Sequence, residues 1–411
     1  MLPEGWTAQR GDEVSAKITK GASPKWQGFD YQEAGVLFVT SENVRDGFLD
    51  ISKPKYLPHG FSQKQKNSRL SKGDILINIV GASIGRSCRF GVGDIEANIN
   101  QAVCLLRPKT AELSAYLSHY LQSAVAKAAL LGQQSESARP NLTLEDIRGF
   151  HFPVPPLQER LKIAEILSTW DSAIAAVEKL IANARTQKTA LMQQLLTGTK
   201  RLPGFVLKWS KTTIGQIAQE ISERDQGHAG FPVLSCSKYD GMVASLSYFN
   251  KKVYSDDTSN YKVMRRGAFG FPSNHIEEGS IGYQDICDIG IVSPIYCVFR
   301  ADETVQDGFL YKLLKSDRYR QIFSAATNAS VNRRGSLRWK EFRKIDLLLP
   351  ILEEQIAINE VIETAARDER AYGKQLSALR QEKSALMQQL LTGKRRVTID
   401  APAATLEEVA A

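Results

Sequence analysis

Arginine, lysine, asparagine and glutamine gather in several short polar stretches of this sequence. Arginine, asparagine and glutamine can each form two hydrogen bonds to an edge of guanine or adenine, whereas lysine mostly pairs with phosphate. These stretches therefore predict contacts with nucleic acid, although each one alone is equally typical of a solvated surface. The candidates are Lys64, Lys66, Arg69, Arg86, Arg89, Gln133, Arg139 and Asn141 in the first half of the chain, and Arg265, Arg266, Asn274, His275, Asn332, Arg333, Arg334 and Arg338 in the second.

The sequence carries no recognisable catalytic motif. It lacks the (D/N)-P-P-(Y/F) loop with which adenine methyltransferases hold a flipped base, and its one Pro-Pro pair follows Val154. Residues 81–87 look like a phosphate-binding loop, but the glycines are one residue too close and arginine replaces lysine, so a turn after a strand is the better prediction. The five cysteines include no Cys-x-x-Cys pair. We therefore predict no catalytic residue, metal or bound cofactor.

The composition is that of a globular protein with several domains. The chain has 411 residues, 43% hydrophobic and 24% charged, with a net charge of +8. A basic chain weakly favours a polyanionic partner. No apolar run approaches the ~18 residues of a membrane span, and the first residues lack the basic and apolar segments of a secretory signal. We therefore expect a cytoplasmic protein with no membrane partner.

A long internal repeat divides the chain into halves. Residues 190–198 recur letter for letter at 385–393, and the same offset of 195 residues aligns Pro155 with Pro350. A repeat of this length indicates two duplicated domains, because solenoids repeat every ~20 to 50 residues.

Each copy of the repeat predicts a long helix of the coiled-coil type, roughly 60 Å in length. Apolar residues alternate steps of three and four, as in the a/d seam of a heptad, and a lysine in each seam could fix the register of a helix pair. Two such helices would pack on each other; the alternative is that each belongs to a separate core. The seam residues include Trp170, Ile174, Val177, Ile181, Lys188, Leu191 and Leu195, and in the second copy Tyr372, Leu376, Leu379, Lys383, Leu386 and Leu390.

Short apolar runs bounded by turn residues precede both helices. Because they follow the same order in both halves but share few identical side chains, we predict two domains with one scaffold that read different sequences. The strands predicted in the first half are 36–39, 75–80 and 102–106, followed by a helix at 113–131. Their counterparts are strands at 231–234, 267–271 and 295–299 and a helix near 309–323.

Short specific motifs mark three places in the chain, namely the helix entries at 155–160 and 350–355, the helix exits that begin at Leu191 and Leu386, and the opening at residues 2–6. A second copy of the opening, at 202–205, is degraded. In these motifs, and over nearly its whole length, the chain resembles the specificity subunit of type I restriction-modification systems.

The resemblance implies an α+β fold with a pseudo-two-fold internal repeat. Two globular mixed α/β target recognition domains would be separated by two long helices that form an antiparallel coiled coil. Each domain would read one half of a bipartite, asymmetric DNA site, while the helices set the spacer. The implied partners are double-stranded DNA, two methyltransferase (modification) subunits and restriction (translocase) subunits. S-adenosylmethionine, ATP and Mg²⁺ would be bound by those subunits, and no cofactor by this chain.

The corresponding domain boundaries follow from the repeat and the helix entries. We predict recognition domains at 1–154 and 201–349, helices at 155–200 and 350–396, and a mobile tail at 397–411.

Two other interpretations fit parts of the pattern. A stand-alone DNA-binding regulator could use the coiled coil for homodimerisation, and an enzyme such as a nuclease could carry a site that no motif reveals. A regulator should bind DNA by itself, whereas a specificity subunit should do little without its methyltransferase partner.

Overall fold

The chain divides into two compact units, and each contains parts of both long predicted helices. Unit 1 comprises Met1–Glu178 and Lys374–Ala411, and unit 2 comprises Lys179–Gly373. These units divide the chain within the long helices, whereas the predicted boundaries at 154, 200, 349 and 396 follow the helix ends. The predicted boundaries stay predictions. The computed structural model describes residues 2–93, 95–132, 141–225, 230–328 and 336–399.

Unit 1 begins as a mixed α/β fold and runs into a long helix. Its strands are β1 (Thr7–Arg10), β2 (Ser15–Lys20), β3 (Val36–Val39), β4 (Tyr56–Leu57), β5 (Ile75–Asn78), β6 (Ser87–Arg89), β7 (Ala97–Ile99), β8 (Val103–Pro108) and β9 (His151–Val154). Its helices are α1 (Gly11–Val14), α2 (His59–Lys64), α3 (Ala111–Gln122), α4 (Ala124–Leu131), α5 (Leu144–Gly149) and the long α6 (Leu157–Leu195), whose second half lies in unit 2.

A four-stranded antiparallel sheet is the scaffold of unit 1. Its strand order is β2-β8-β5-β6, and β5 is buried along its whole length. Strand β1 pairs antiparallel with β9, the last strand before α6, so both ends of the domain meet there. A separate sheet, β4-β3-β7, holds the parallel pair β3 and β7. Buried side chains of α3 and α6, including Tyr116 and Ile163, share one core with Trp6.

Unit 2 repeats this order of elements. Its strands are β10 (Ser210–Thr213), β11 (Ala218–Glu220), β12 (Leu234–Ser237), β13 (Gly241–Ala244), β14 (Lys262–Arg265), β15 (Phe269–Pro272), β16 (Gly282–Tyr283), β17 (Ile289–Val292), β18 (Tyr296–Ala301) and β19 (Asp346–Leu349). Its helices are α7 (Ile214–Ile217), α8 (Ser245–Phe249), α9 (Asp307–Leu314), α10 (Asp317–Asn328), α11 (Trp339–Phe342) and the long α12 (Leu352–Leu390).

The scaffold of unit 2 matches that of unit 1, whereas its additional strands differ. The four-stranded sheet has the order β11-β18-β15-β16, and β10 pairs with β19 as β1 pairs with β9. In place of the three-stranded sheet, unit 2 has two separate pairs, β12-β13 and β14-β17. The structure therefore agrees with the prediction of one scaffold with two different elaborations.

The two long helices are each 39 residues long and end at equivalent positions. Gly198 and Gly393 follow them with φ of 70° and 67°, the left-handed conformation that commonly ends a helix. The α+β fold class with a long-helix repeat is confirmed.

Three local predictions were wrong in detail. The strand predicted at 231–234 begins only at Leu234, because Pro232 has no N–H to donate to a ladder. The helix predicted at 113–131 is interrupted at Ser123, whose hydroxyl accepts a hydrogen bond from the Ala126 amide and starts a new helix. The helix near 309–323 is likewise two helices, α9 and α10. Val397, in the predicted tail, packs against the core of unit 1, and residues 400–411 lie outside the described residues, so the tail stays a prediction.

Candidate nucleic-acid interface

The first basic stretch of unit 1 lies where α2 ends, in a 3₁₀ turn at Lys66–Ser68. Arg69 donates to the carbonyl oxygen and the hydroxyl of Ser62, at 3.0 and 2.9 Å, so it supports the local fold. Lys64 Nζ donates to the carbonyl oxygen of Gln27 at 3.2 Å. Lys66 is exposed, and its side chain makes no hydrogen bond or ion pair with any residue that the structure describes. Of the three cations, Lys66 is the one most available to a phosphate.

The hairpin between β5 and β6 carries the next two candidates, Arg86 and Arg89. Buried Asn78 holds this hairpin, because its amide donates to the carbonyl oxygen of Ser41 at 2.9 Å and to the hydroxyl of Ser83 at 3.0 Å. The segment that resembled a phosphate loop is the turn of this hairpin, as predicted. Within the described parts of the chain, neither arginine side chain has a carboxylate or hydrogen-bond partner. The hairpin therefore presents two uncompensated cations.

In unit 2, two of the predicted cations are already paired with carboxylates. Arg265 pairs with Glu223 at 2.8 Å and Arg266 with Asp288 at 3.0 Å. Arg338 is exposed at the start of α11 and makes no side-chain bond to the residues described here. Among the described residues, unit 2 therefore has fewer unpaired candidate cations than its sequence indicates.

Asn274 and His275 lie in the connection between β15 and β16, which corresponds in sheet order to the hairpin that carries Arg86. The structure thus places candidates from both halves in topologically equivalent loops. Asn141 is exposed, and it is the first residue described after position 132. Outside the described residues lie Gln133, Arg139, Asn332, Arg333 and Arg334.

Only one group of possible metal ligands occurs among the described residues, and we assign no metal to it. His275, Glu277 and Glu278 bring their donor atoms within 4.8 Å of one another. His275 Nδ1 already lies 3.2 Å from a Glu278 carboxylate oxygen, and both side chains are about half exposed. The expectation that the chain binds no metal stays a prediction.

In unit 1, ion pairs join α6 to α12, and residues further along α6 pair with residues earlier in α12. Lys383, in the predicted seam, binds Asp171, and Arg380 lies 2.6 Å from Glu178. Buried His119 of α3 approaches the same aspartate at 3.6 Å. Burial lowers the pKa of His119 to about 4, against the opposing effect of Asp171. The seam lysine is therefore matched by an acid of the other helix, so this pair is antiparallel.

In unit 2, the other seam lysine, Lys188, pairs with an acidic residue that is not equivalent by the repeat to Asp171. Lys188 and Arg185 lie 2.5 and 2.7 Å from the carboxylate of Glu369, and these cations lower its pKa. The position of α6 equivalent to Glu369 is Ile174, so the two halves of the repeat place their acids differently.

The predicted seam residues are all buried or half-buried. Lys383 is 9% exposed and Val177 5%. Whether these residues also contribute to a partner's docking surface stays a prediction. The half-buried ones are Trp170, Ile174, Ile181, Lys188, Leu191, Tyr372, Leu376, Leu379 and Leu386, and the buried ones are Val177, Leu195, Lys383 and Leu390.

A buried glutamate at the start of each long helix is bound by an arginine that follows the end of the other. In unit 1, Arg396 binds Glu159 through both carboxylate oxygens, at 2.6 and 2.8 Å. In unit 2, Arg201 binds Glu354 in the same way, with both distances 2.6 Å. Sequence reasoning missed these arginines, although the offset of 195 residues relates them as it relates the glutamates.

A tryptophan accompanies each of these arginine–glutamate pairs. Trp6 donates its indole N–H to Glu159 at 3.0 Å. Trp209 lies under Arg201, whose guanidinium is 5.8 Å from the ring centroid. Trp209 precedes β10 as Trp6 precedes β1, so it marks the second opening that looked degraded at 202–205.

Comparison with known proteins identifies this architecture. Residues 3–184 match the profile of the type I restriction modification DNA specificity domain. Over 426 residues the chain is 24% identical to the MjaVIII specificity subunit of Methanocaldococcus jannaschii, covering 96% of this chain and 94% of that protein. The chain is therefore similar to type I restriction-modification specificity subunits over nearly its whole length. That this chain is itself non-catalytic stays a prediction.

Further likenesses to members of the specificity-subunit family differ in extent. The EcoBI specificity subunit of Escherichia coli is 27% identical over 203 residues, which span 48% of this chain and less than half, 41%, of that protein. The S subunit of M. genitalium has the same fold with a TM-score of 0.55 and 16% identity, covering 95% of this chain and 97% of that one. Among the helices that the structure describes, none has both the length and the apolar character that a bilayer crossing requires.

Proposed function

We propose that this chain is a specificity subunit that reads a bipartite, asymmetric DNA site, one half with each unit. The observation that carries the proposal is the shared four-stranded scaffold with different additional strands and different free cations in the two units. Two units with identical recognition surfaces would read a symmetric site, because recognition depends on which side chains reach the base edges. Two units that share a scaffold but differ in the strands and cations outside it support an asymmetric site.

We further propose that α6 and α12 set the spacer and dock two methyltransferase subunits, with restriction subunits joining them. Two readers joined by elements of constant length are held to a fixed half-site separation, and a separation near one helical turn (~34 Å) puts both on one face of the duplex. In this proposal S-adenosylmethionine, ATP and Mg²⁺ belong to the partner subunits, and the complex works in the cytoplasm.

The contacts of the long helices disfavour the alternative of a homodimerising regulator. Within each unit, the seam of α6 packs against α12 of the same chain, and the seam lysines already have acidic partners. A second copy would have to displace these contacts, so self-association through this seam costs interactions that the single chain already has.

The test is genome-wide adenine methylation by long-read sequencing, in cells that carry a matching methyltransferase subunit with and without this chain. We expect a new two-part motif with a fixed gap only when the chain is present. If the methyltransferase subunit binds the chain and no new motif appears, the proposal is wrong and the regulator is the better interpretation.

A further inference from the structure

Trp26 is the most exposed large hydrophobic side chain among the residues that the structure describes. It is 89% exposed, whereas Trp6 in the core of the same unit is 7% exposed. Tryptophan is highly buried on average, because its large apolar surface is costly to hydrate. An indole presented almost completely to solvent is therefore a feature to explain.

Hydrogen bonds and aromatic packing hold the loop that presents Trp26. It forms a 3₁₀ turn at Lys25–Gln27, with the amides of Gln27 and Phe29 donating to the carbonyl oxygen of Pro24 at 2.9 and 3.0 Å. Phe29 points inward and packs edge-on against Phe61, with ring centroids 5.6 Å apart. One aromatic residue thus anchors the loop while Trp26 is held outside, so its exposure is a property of the fold.

Lysines lie in and next to the loop that presents Trp26. Lys25 precedes it in the chain, and Lys64 binds the loop through the carbonyl oxygen of Gln27 and lies 5.9 Å from the centre of the Phe29 ring. Lys66 begins the next turn and is unpaired with respect to the described residues. The local acids along the chain are Asp30 and Glu33. An aromatic ring next to cations matches DNA, where bases accept aromatic packing and phosphates accept lysine.

Unit 2 presents a similar pair at an unrelated position. Tyr239, in the turn between β12 and β13, is 82% exposed, and Lys238 Nζ lies 5.6 Å from the centre of its ring. Trp26 precedes β3, whereas Tyr239 lies between β12 and β13, so the two rings occupy different positions outside the shared four-stranded sheets.

We propose that Trp26 packs its indole against the bases of bound DNA while Lys66 holds an adjacent phosphate, and that Tyr239 does the same for the other half-site. This inference rests on the proposed function and deepens it by naming the contact residues. Exposed apolar side chains can wedge against base steps in a groove, and the energy of such packing depends little on base identity. Trp26 would therefore contribute affinity more than sequence preference.

The experiment titrates the full-length chain, alone and with its methyltransferase subunit, onto mixed-sequence genomic duplex fragments and measures fluorescence anisotropy. Trp26→Ala should weaken binding roughly 5- to 150-fold, the range for loss of one stacked base, whereas Trp26→Phe keeps a ring and should stay within about threefold of wild type. Phe48→Ala is the matched control, since Phe48 is a 60% exposed aromatic residue of the same unit. It should bind like wild type.

Iodide quenching provides a second readout of the same contact. The difference in emission between the wild type and Trp26→Phe isolates the Trp26 signal, which iodide should quench in the free chain and not in the DNA complex. Equal affinity of wild type and Trp26→Ala, with Trp26 still quenched in the complex, overturns the inference and leaves the proposed function intact. Shielding of Trp26 by the methyltransferase subunit without DNA would identify a protein contact instead. A wild type that binds no DNA in either form overturns both proposals.

Discussion

Side chains of the same type differ here in whether a carboxylate already compensates them. Arg265 and Arg266 have acidic partners, whereas Lys66 and Arg86 have none among the described residues. A surface ion pair is worth only ~0 to 1 kcal/mol, so it does not prevent an arginine from reaching DNA, but the carboxylate opposes the positive charge that a phosphate would meet. Unpaired cations should therefore carry most of the salt-dependent affinity.

We expect Lys66→Gln to weaken DNA binding by a similar factor for all sequences. Loss of one phosphate contact should reduce the slope of log K against log salt by about 1, because one fewer counterion is released. The slope is measured by anisotropy titrations at several salt concentrations. Lys179→Gln removes the same charge from an exposed position of α6 and should leave the slope unchanged. Equal effects of both changes would mean that only net charge matters.

At the scale of elements, the start of each long helix depends on a buried glutamate. The side chains of Glu159 and Glu354 are 2% and 1% exposed, and a buried carboxylate is tolerated only when it is paired and hydrogen-bonded. Glu159 has two partners, Arg396 and the indole of Trp6. Glu354 depends on Arg201, because the indole N–H of Trp209 has no hydrogen-bond partner in the described structure.

Arg201→Ala should therefore lower the Tm by several degrees, and by more than Arg396→Ala. The first change leaves Glu354 buried without its cation, whereas after the second Glu159 keeps the Trp6 hydrogen bond. Differential scanning calorimetry measures both, and Lys200→Ala, an exposed neighbour, is the control that should change the Tm little. Equal losses for Arg201→Ala and Lys200→Ala would show that the arginine–glutamate pair does not stabilise unit 2.

At the scale of the whole molecule, one plan occurs twice in one chain. The helices are equal in length, the sheets equal in strand order, and the arginine–glutamate pairs equal in position. What differs is the set of strands and loops outside this plan. In the proposed function, the repeated plan would be a constant frame for assembly, and the parts that differ would be two independent recognition surfaces.

Removal of residues 176–182 and 371–377, one heptad from each long helix, should shorten the tolerated DNA spacer. Seven residues correspond to ~10 Å of helix, or about three base pairs, and removal of whole heptads preserves the seam. Methylation sequencing of cells with the shortened chain measures the gap, and both half-site sequences should remain the same. An unchanged gap would exclude the helices as the determinant of spacing.

Sequence alone was sufficient for the repeat, the long helices and several of the strands in each half. Periodicity is a local property: heptad steps and glycines such as Gly198 specify where a helix runs and stops without knowledge of its partner. The family resemblance also rested on short local motifs at the helix entries and exits. Local patterns failed where proline or serine chemistry moved an element boundary, as at Pro232 and Ser123.

Tertiary structure alone decided which charged and aromatic residues are free. Whether Arg265 is neutralised by Glu223, 42 residues away, or whether Arg201 reaches Glu354, 153 residues away, depends on contacts between distant segments. Trp26 and Phe29 are both aromatic residues of one loop, yet one is exposed and the other packs on Phe61. Burial and pairing are properties of the assembled fold, because they depend on what the rest of the chain brings alongside each residue.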